Sequence, residues 1–329
     1  MKPVKLLTIA ALVLALALPC AALASNATDT SAWTTETSDT ASHAYPMGKG
    51  VIELFDSYTF ETGVTRVGAM DYYLYDPIKH GAPADKEYPL IMMLHGSGNG
   101  GDNDKLCGAL TDWMIYASSE YQSALSGAYI LFPKANEYDT RRTKTVCDTE
   151  YLYKGTGDWM TSAKMTSVYS PALYALVQKL KAEYPISSLS VIGSSAGGYM
   201  AWRFAIDYPD LCDKIIPVAP AYAPSEKELK LLEDNGVGIW VVHGEKDANC
   251  PLKLFTGKIA DRLEQMENAR VSILDTVRFG DRRIVRIIVD GMDMGQHLAQ
   301  FAVGQNMIYA DGLPYDERYP DGIIAWLVE

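Results

Sequence analysis

The chain has 329 residues, 48% of them hydrophobic and 21% charged, enough to bury one large core or two modest ones, and this composition excludes intrinsically disordered and collagen-like architectures. Its 29 basic and 41 acidic residues leave a net charge of -12, which repels phosphate backbones. No local basic patch offsets that charge, so nucleic acid is not an expected partner.

Residues 1–24 depart from the average. Lys2 and Lys5 precede an apolar run from Leu6 to Leu18, which is followed by Pro19 and the small-residue series Ala21, Ala22, Leu23, Ala24. That order predicts a secretory signal cut after Ala24 and a secreted or extracytoplasmic protein. The rival reading is a retained membrane anchor, but the run is 13 residues and a spanning helix needs about 20. Cleavage removes two lysines and no acid, so the charge of -12 becomes -14. Residues 25–50 follow, with ten Ser or Thr between 25 and 45; they are expected to be a disordered tether, because so few apolar anchors cannot offset the entropy of ordering. Residues 51–329 are expected to form one domain.

Within that domain apolar or β-branched runs recur at Met70–Tyr75, Tyr88–His95, Tyr129–Pro133, Leu189–Gly193, Lys214–Ala219, Gly238–His243 and Arg283–Val289. Several are continuous rather than alternating, as in strands buried on both faces. Helical spacing separates them: Ala172, Leu173, Leu176, Val177 and Leu180 behind Ser170-Pro171, then Leu252–Met266, then Ile323–Leu327. Alternating strands and helices predict an α/β fold with a mostly parallel sheet. Two connections, 134–168 and 306–320, are too long for simple turns and rich in aromatic residues, and loops of that kind usually carry function. Trp159 and Tyr315 are the expected substrate-binding residues, placed to stack on rings. After export four cysteines remain, Cys107, Cys147, Cys212 and Cys250. Their spacing fits no metal or C-x-x-C redox pattern, so staples or buried thiols are expected and no metal. Cys107–Cys147 is the pair to test first, because both follow strand C-termini on the same side of the sheet.

The run Leu189–Ile192 leads into Gly193-Ser194-Ser195-Ala196-Gly197-Gly198, after which Met200, Ala201, Phe204 and Ala205 continue at helical spacing. This is a G-x-S-x-G elbow in the strand–turn–helix context that the motif requires. It marks Ser195 as the candidate nucleophile; Ser194 fails the spacing, since Ile192 stands where a glycine is needed. A serine hydroxyl needs a base oriented by a carboxylate. Of five histidines only His243 and His297 follow Ser195. His243 precedes every plausible acid in its own loop, so His297 is the expected base. Asp247 is the expected acid, preferred to Glu245 because it lies farther from the strand end and can turn back toward the imidazole; Asp290 and Asp293 read as turn residues. For the oxyanion, the backbone N–H of Ala196 and that of Ser97, with Gly98 as the alternative, are the expected donors. The Gly-rich run through Gly101 lacks the Gly-Lys-Ser/Thr ending of a phosphate loop, and no cofactor is expected.

The stretches YPLIMMLHGSGNGG, GSSAGGYMAWRFAIDYPDLCDKIIPVAP and VVHGEKD, with the late His297, resemble the α/β-hydrolase superfamily and, within it, secreted esterases grouped with feruloyl esterases and polyhydroxybutyrate depolymerase-like proteins. The resemblance covers about residues 65–329. It implies an eight-stranded sheet, a Ser195–Asp247–His297 triad and hydrolysis of carboxylic esters, small or polysaccharide-linked. Ala269–Val289 is longer than the family's usual link to the last strand, and a hairpin at Phe279-Gly280-Asp281 would account for it. Two other readings compete: a single-domain serine peptidase of prolyl-oligopeptidase type, and a non-catalytic surface-binding module on the same fold.

Overall fold

The computed structural model describes residues 33–37, 51–64, 67–96, 113–135, 168–279, 282–289, 292–309 and 311–329. The expected signal segment 1–24, most of the tether, Ser97, Gly98, Trp159, Cys107 and Cys147 lie outside the described residues.

In chain order the strands are β1 (Trp33–Thr37), β2 (Asp56–Glu61), β3 (Ala69–Tyr75), β4 (Tyr88–Leu94), β5 (Tyr129–Pro133), β6 (Ile186–Ser194), β7 (Lys214–Val218), β8 (Gly238–Gly244), β9 (Ala269–Leu274), β10 (Val277–Phe279), β11 (Arg282–Val289) and β12 (Met292–Gly295). The helices are α1 (Ser119–Ala124), α2 (Tyr169–Glu183), α3 (Ala196–Asp207), α4 (Glu226–Asp234), α5 (Ala260–Leu263), α6 (Gln300–Gly304) and α7 (Gly322–Val328). Eight strands form the main sheet in the order β2-β3-β5-β4-β6-β7-β8-β9. Only β3 runs against the others, since it pairs antiparallel with both β2 and β5 while β5 through β9 pair in parallel.

The continuous apolar runs are explained by helices on both faces. Leu90, Met92 and Leu94 point into one core with α2 and α3, while Ile91 and Met93 point into a second core with Phe301, Ile323 and Trp326. All five are at most 1% exposed, as expected for strands with period-two side chains covered on each side. Helix α2 buries Ala172, Leu173, Leu176, Val177 and Leu180, the residues whose spacing marked it. It stops where Tyr184, ahead of Pro185, is forced out of helical geometry, to φ -126° and ψ 149°. A reciprocal cap opens α4: the Ser225 side chain accepts from the Glu228 N–H while Glu228 accepts from the Ser225 N–H.

Four expectations change. The run Arg283–Val289 is not a strand of the main sheet; it belongs, as β11, to a second antiparallel sheet ordered β1-β11-β10, with β12 on β11. It pairs antiparallel with β10, Phe279 opposite Arg282; Gly280 and Asp281 of the expected hairpin lie outside the described residues. The last strand of the main sheet is instead β9, whose Ile273 is exposed, so that its pattern lacks a continuous apolar run. Trp33–Thr37, read as tether, pairs with β11 from Trp33↔Val289 to Thr37↔Ile284, with a register shift after Glu36; backbone pairing to a free strand edge needs no buried side chain. Leu252–Met266 is two 3₁₀ turns and the short α5 rather than one helix, because Phe255 breaks the backbone at φ -121° and ψ -103°. At the β9 edge, Arg270 lies over the rings of Trp240, Tyr319 and Trp326 at 5.2, 5.1 and 5.7 Å and pairs with Glu329, which fastens α7 to the sheet.

Candidate active site

Three chain segments meet at the C-terminal edge of the parallel strands. The first is the turn from β6 into α3. Ser195 sits there at φ 57° and ψ -113°, a left-handed conformation that costs a non-glycine residue of order 1–3 kcal/mol. Neighbouring bonds hold it: its N–H donates to Val218 O at 2.9 Å, and its carbonyl accepts from Tyr199 N and Ala221 N. A side chain at Gly197 would collide with the carbonyl oxygens of Leu94 and His95, and one at Gly193 with that of Gly197. Gly197 therefore packs backbone to backbone against the end of β4 and Gly193 against Gly197 itself, which is why both flanking positions are glycine. Ala196 opens α3, where the first-turn N–H groups lack intrahelical acceptors and favour negative charge.

The second segment follows β8. Asp247 is buried, and its carboxylate is surrounded by N–H donors. Oδ1 accepts from the backbone of Asn249 at 2.8 Å and of Cys250 at 2.7 Å. Oδ2 lies 2.8 Å from His297 Nδ1 and 3.3 Å from His243 Nε2. Burial pushes the carboxyl pKa up, but the charge and hydrogen bonds of His297 and His243 outweigh it and hold Asp247 below the ordinary value. Glu245, the rival acid, is exposed, and Asp293, expected in a turn, instead lies in β12 opposite Ile288, where it accepts from the Gly295 N–H.

The third segment carries His297, 4% exposed, just after β12. It is fastened to the acid loop by its neighbour Gln296, whose Oε1 accepts from Lys246 N at 2.8 Å and whose Nε2 donates to Asp275 O at 2.6 Å. Asp247 and Gly295 form a backbone bridge. The same segment reaches the elbow, because Ser194 Oγ lies 3.3 Å from Gln300 Oε1 and the Trp113 indole donates to Gln300 O.

His95 closes the edge at β4. It is fully buried; Nδ1 donates to Gly96 O at 2.7 Å and Nε2 accepts from Ala135 N at 3.0 Å, linking the loops after β4 and β5. Burial, with a contribution from the charge of Lys134 and against the Gly96 hydrogen bond, pushes its pKa down to about 4. The ring is uncharged at neutral pH and anchors the start of the segment that carries Ser97.

Of the other expected residues, Tyr315 turns its hydroxyl inward, donating to Gln305 Oε1 at 2.7 Å and accepting from Arg278 N at 3.0 Å. Burial raises its pKa well above the ordinary value; the hydroxyl is a brace between α6 and β10 rather than a free ligand group. Cys212 is a buried free thiol whose pKa burial pushes up. Two residues of the site were not given their places by the sequence. His243, weighed only as a base and set aside, stands four residues before Asp247, a spacing that points to contact with the acid, whereas Gln296 carries no sequence signal beyond preceding His297.

Residues 163–243 match the family model described as Hydrolase_4, serine aminopeptidase S33. No curated protein matches the chain by sequence. Among solved structures, a thermostable esterase is 22% identical with a TM-score of 0.50 over 68% of this chain and 54% of its own; the chain thus spans about half the length of that relative. A structure described as FAE is 10% identical, also at TM-score 0.50, over 82% of this chain and 93% of its own. The feruloyl esterase module of Clostridium thermocellum, solved as an S954A mutant complexed with sinapinate, is 10% identical at TM-score 0.47 over 73% of this chain and 88% of its own. The strand order and the two likenesses at TM-score 0.50 give the chain the α/β-hydrolase fold.

Proposed function

We propose that the protein is an exported serine hydrolase that cleaves carboxylic esters, of the acylated-carbohydrate or aryl type, through Ser195, His297 and Asp247. The observation that carries this reading is the conjunction of a strained serine elbow at β6–α3 with a buried His297–Asp247 pair 2.8 Å apart. With Nδ1–H committed to the carboxylate, His297 presents Nε2 as the base. It takes the Ser195 proton as Oγ bonds to the ester carbonyl carbon, and the negative oxygen is received by the N–H groups of Ala196 and Ser97. Collapse breaks the bond to the alcohol oxygen, which leaves with the proton from His297; water, deprotonated by the same imidazole, then releases the acid and frees Ser195.

A fluorophosphonate probe tests the chemistry: it labels the wild-type chain and not Ser195→Ala, and equal labelling of both sinks the reading. An ester panel of acetyl, butyryl, feruloyl and hydroxybutyryl substrates then reports pocket size. The match of 163–243 to a serine aminopeptidase model favours one second reading, peptide cleavage, and the rates on a p-nitrophenyl ester against an aminoacyl p-nitroanilide decide between the two. Failure of the probe to react at all would return the chain to the class of non-catalytic binding modules. Export rests on the pattern of residues 1–24 and is tested by N-terminal sequencing of the protein recovered from its native host, expected to begin at Ser25.

A further inference from the structure

The triad reading leaves a second imidazole unexplained. His243 closes β8, and the turn Gly244-Glu245-Lys246 brings Asp247 back against it. Its side chain is wholly buried, as are Thr256 and Cys250 around it. The ring makes three polar contacts: Nδ1 to Thr256 Oγ1 at 2.8 Å, Nε2 to Cys250 O at 2.8 Å, and Nε2 to Asp247 Oδ2 at 3.3 Å. A carbonyl oxygen can only accept, so the hydrogen resides on Nε2. That one N–H points between the Cys250 carbonyl and the carboxylate oxygen that also receives His297. Thr256, whose hydroxyl can donate to the bare Nδ1, selects this tautomer.

We propose that His243 is a positioning residue for the catalytic pair: its Nε2–H is a second imidazole donor to Asp247 Oδ2, keeping the carboxylate ionised and aimed at His297, with Thr256 fixing the tautomer. The role rests on the ester-hydrolase reading. It follows from the donor count, since a buried carboxylate is held by the hydrogen bonds it accepts, and here both oxygens are doubly served. His243 is not itself a base for Ser195, because both of its nitrogens are already engaged away from the elbow.

Removing such a donor is expected to act on kcat, because the Asp247–His297 contact strengthens as the imidazole becomes charged in the transition state. His243→Leu should lower kcat by about tenfold or more at a KM within about twofold of wild type. His243→Gln, whose Nε2 can occupy the same place, should recover most of that loss. A role in packing alone predicts equal kcat for the two folded variants, and that result overturns the proposal. The second measurement does not depend on turnover or on the His243 variants folding: long-range ¹H–¹⁵N imidazole spectra of the wild-type chain should report His243 as the Nε2–H tautomer, with a resonance that moves in folded Asp247→Asn. An Nδ1–H tautomer, or a resonance indifferent to Asp247, overturns it. A wild-type chain inert to esters and to the fluorophosphonate would instead sink the hydrolase reading, while the spectra still decide the His243–Asp247 contact.

Discussion

Acid should loosen this protein through His95 before it protonates the bulk of the carboxylates. In the unfolded chain a histidine titrates near about 6.5, whereas burial holds the folded His95 at about 4. Between those values the unfolded state binds more protons, so stability is complete above pH about 6.5 and falls as the pH drops toward 4. The gap of about 2.5 units, at about 1.4 kcal/mol each, amounts to roughly 3 kcal/mol, nearly all of it lost by pH 4. That is a large share of the 5–15 kcal/mol typical of a domain. Urea unfolding of wild type and His95→Asn at pH 7.5, 6, 5 and 4 reads it directly. The substitution weakens the protein at every pH, because it cannot serve both Gly96 O and Ala135 N, but its own stability is silent to this titration. The wild-type advantage should therefore shrink by about 3 kcal/mol between pH 7.5 and 4. Parallel stability curves for the two proteins would refute the assignment of a buried, uncharged His95.

Three further changes probe the site. Asp247→Asn should reduce kcat by roughly 10³–10⁴-fold with the fold intact, since an amide opposite His297 Nδ1 favours the wrong tautomer; ester hydrolysis alongside circular dichroism checks it. Gly197→Ala forces a methyl group against the carbonyls of Leu94 and His95, backbone atoms that cannot rotate away, so a loss of at least about 3 kcal/mol in urea unfolding is expected, together with loss of fluorophosphonate labelling. Gln296→Ala removes the bonds to Lys246 N and Asp275 O and should cost about 2–3 kcal/mol, while kcat falls because the His297 segment is less firmly held; a variant with wild-type kcat and stability would contradict that role.

How far the sequence reaches depends on whether an element is marked by its own side chains. Strands β4 to β8 are legible because both faces are covered, which leaves runs such as Leu90–Leu94 with no polar interruption. Strand β9 is obscured because it lies at the sheet edge with Ile273 exposed and with Arg270 and Ser272 interrupting its apolar residues, and the more apolar Arg283–Val289 attracts the assignment instead. Strand β1 is invisible to the same test, since what places Trp33–Thr37 is backbone pairing with β11. In the site, Ser195 and Asp247 carry local signals: a glycine-flanked turn and a carboxylate just past a strand end. His243 carries one only in hindsight, because its part depends on a turn that folds the chain back by four residues, and Gln296 acts through main-chain atoms of Lys246 and Asp275 that no side-chain pattern records.

The added sheet between β9 and His297 raises a question of precision: a histidine at the end of a long excursion has to return to within hydrogen-bond distance of an acid 50 residues earlier. Chain connectivity does not supply that accuracy, because β10, β11 and β12 intervene. The return point supplies it. Gly295, at φ 53°, is so close to the Lys246 carbonyl that a Cβ there would collide with it. Around it Gln296 N donates to Lys246 O at 3.1 Å and Ala248 N to Met294 O at 3.3 Å. These main-chain bonds set the height of the loop, and the Gln296 side chain sets its lateral position against Asp275. His297 is thus located by the acid loop itself, so the second sheet can vary in length or partner without altering the 2.8 Å contact on which the proposed chemistry rests.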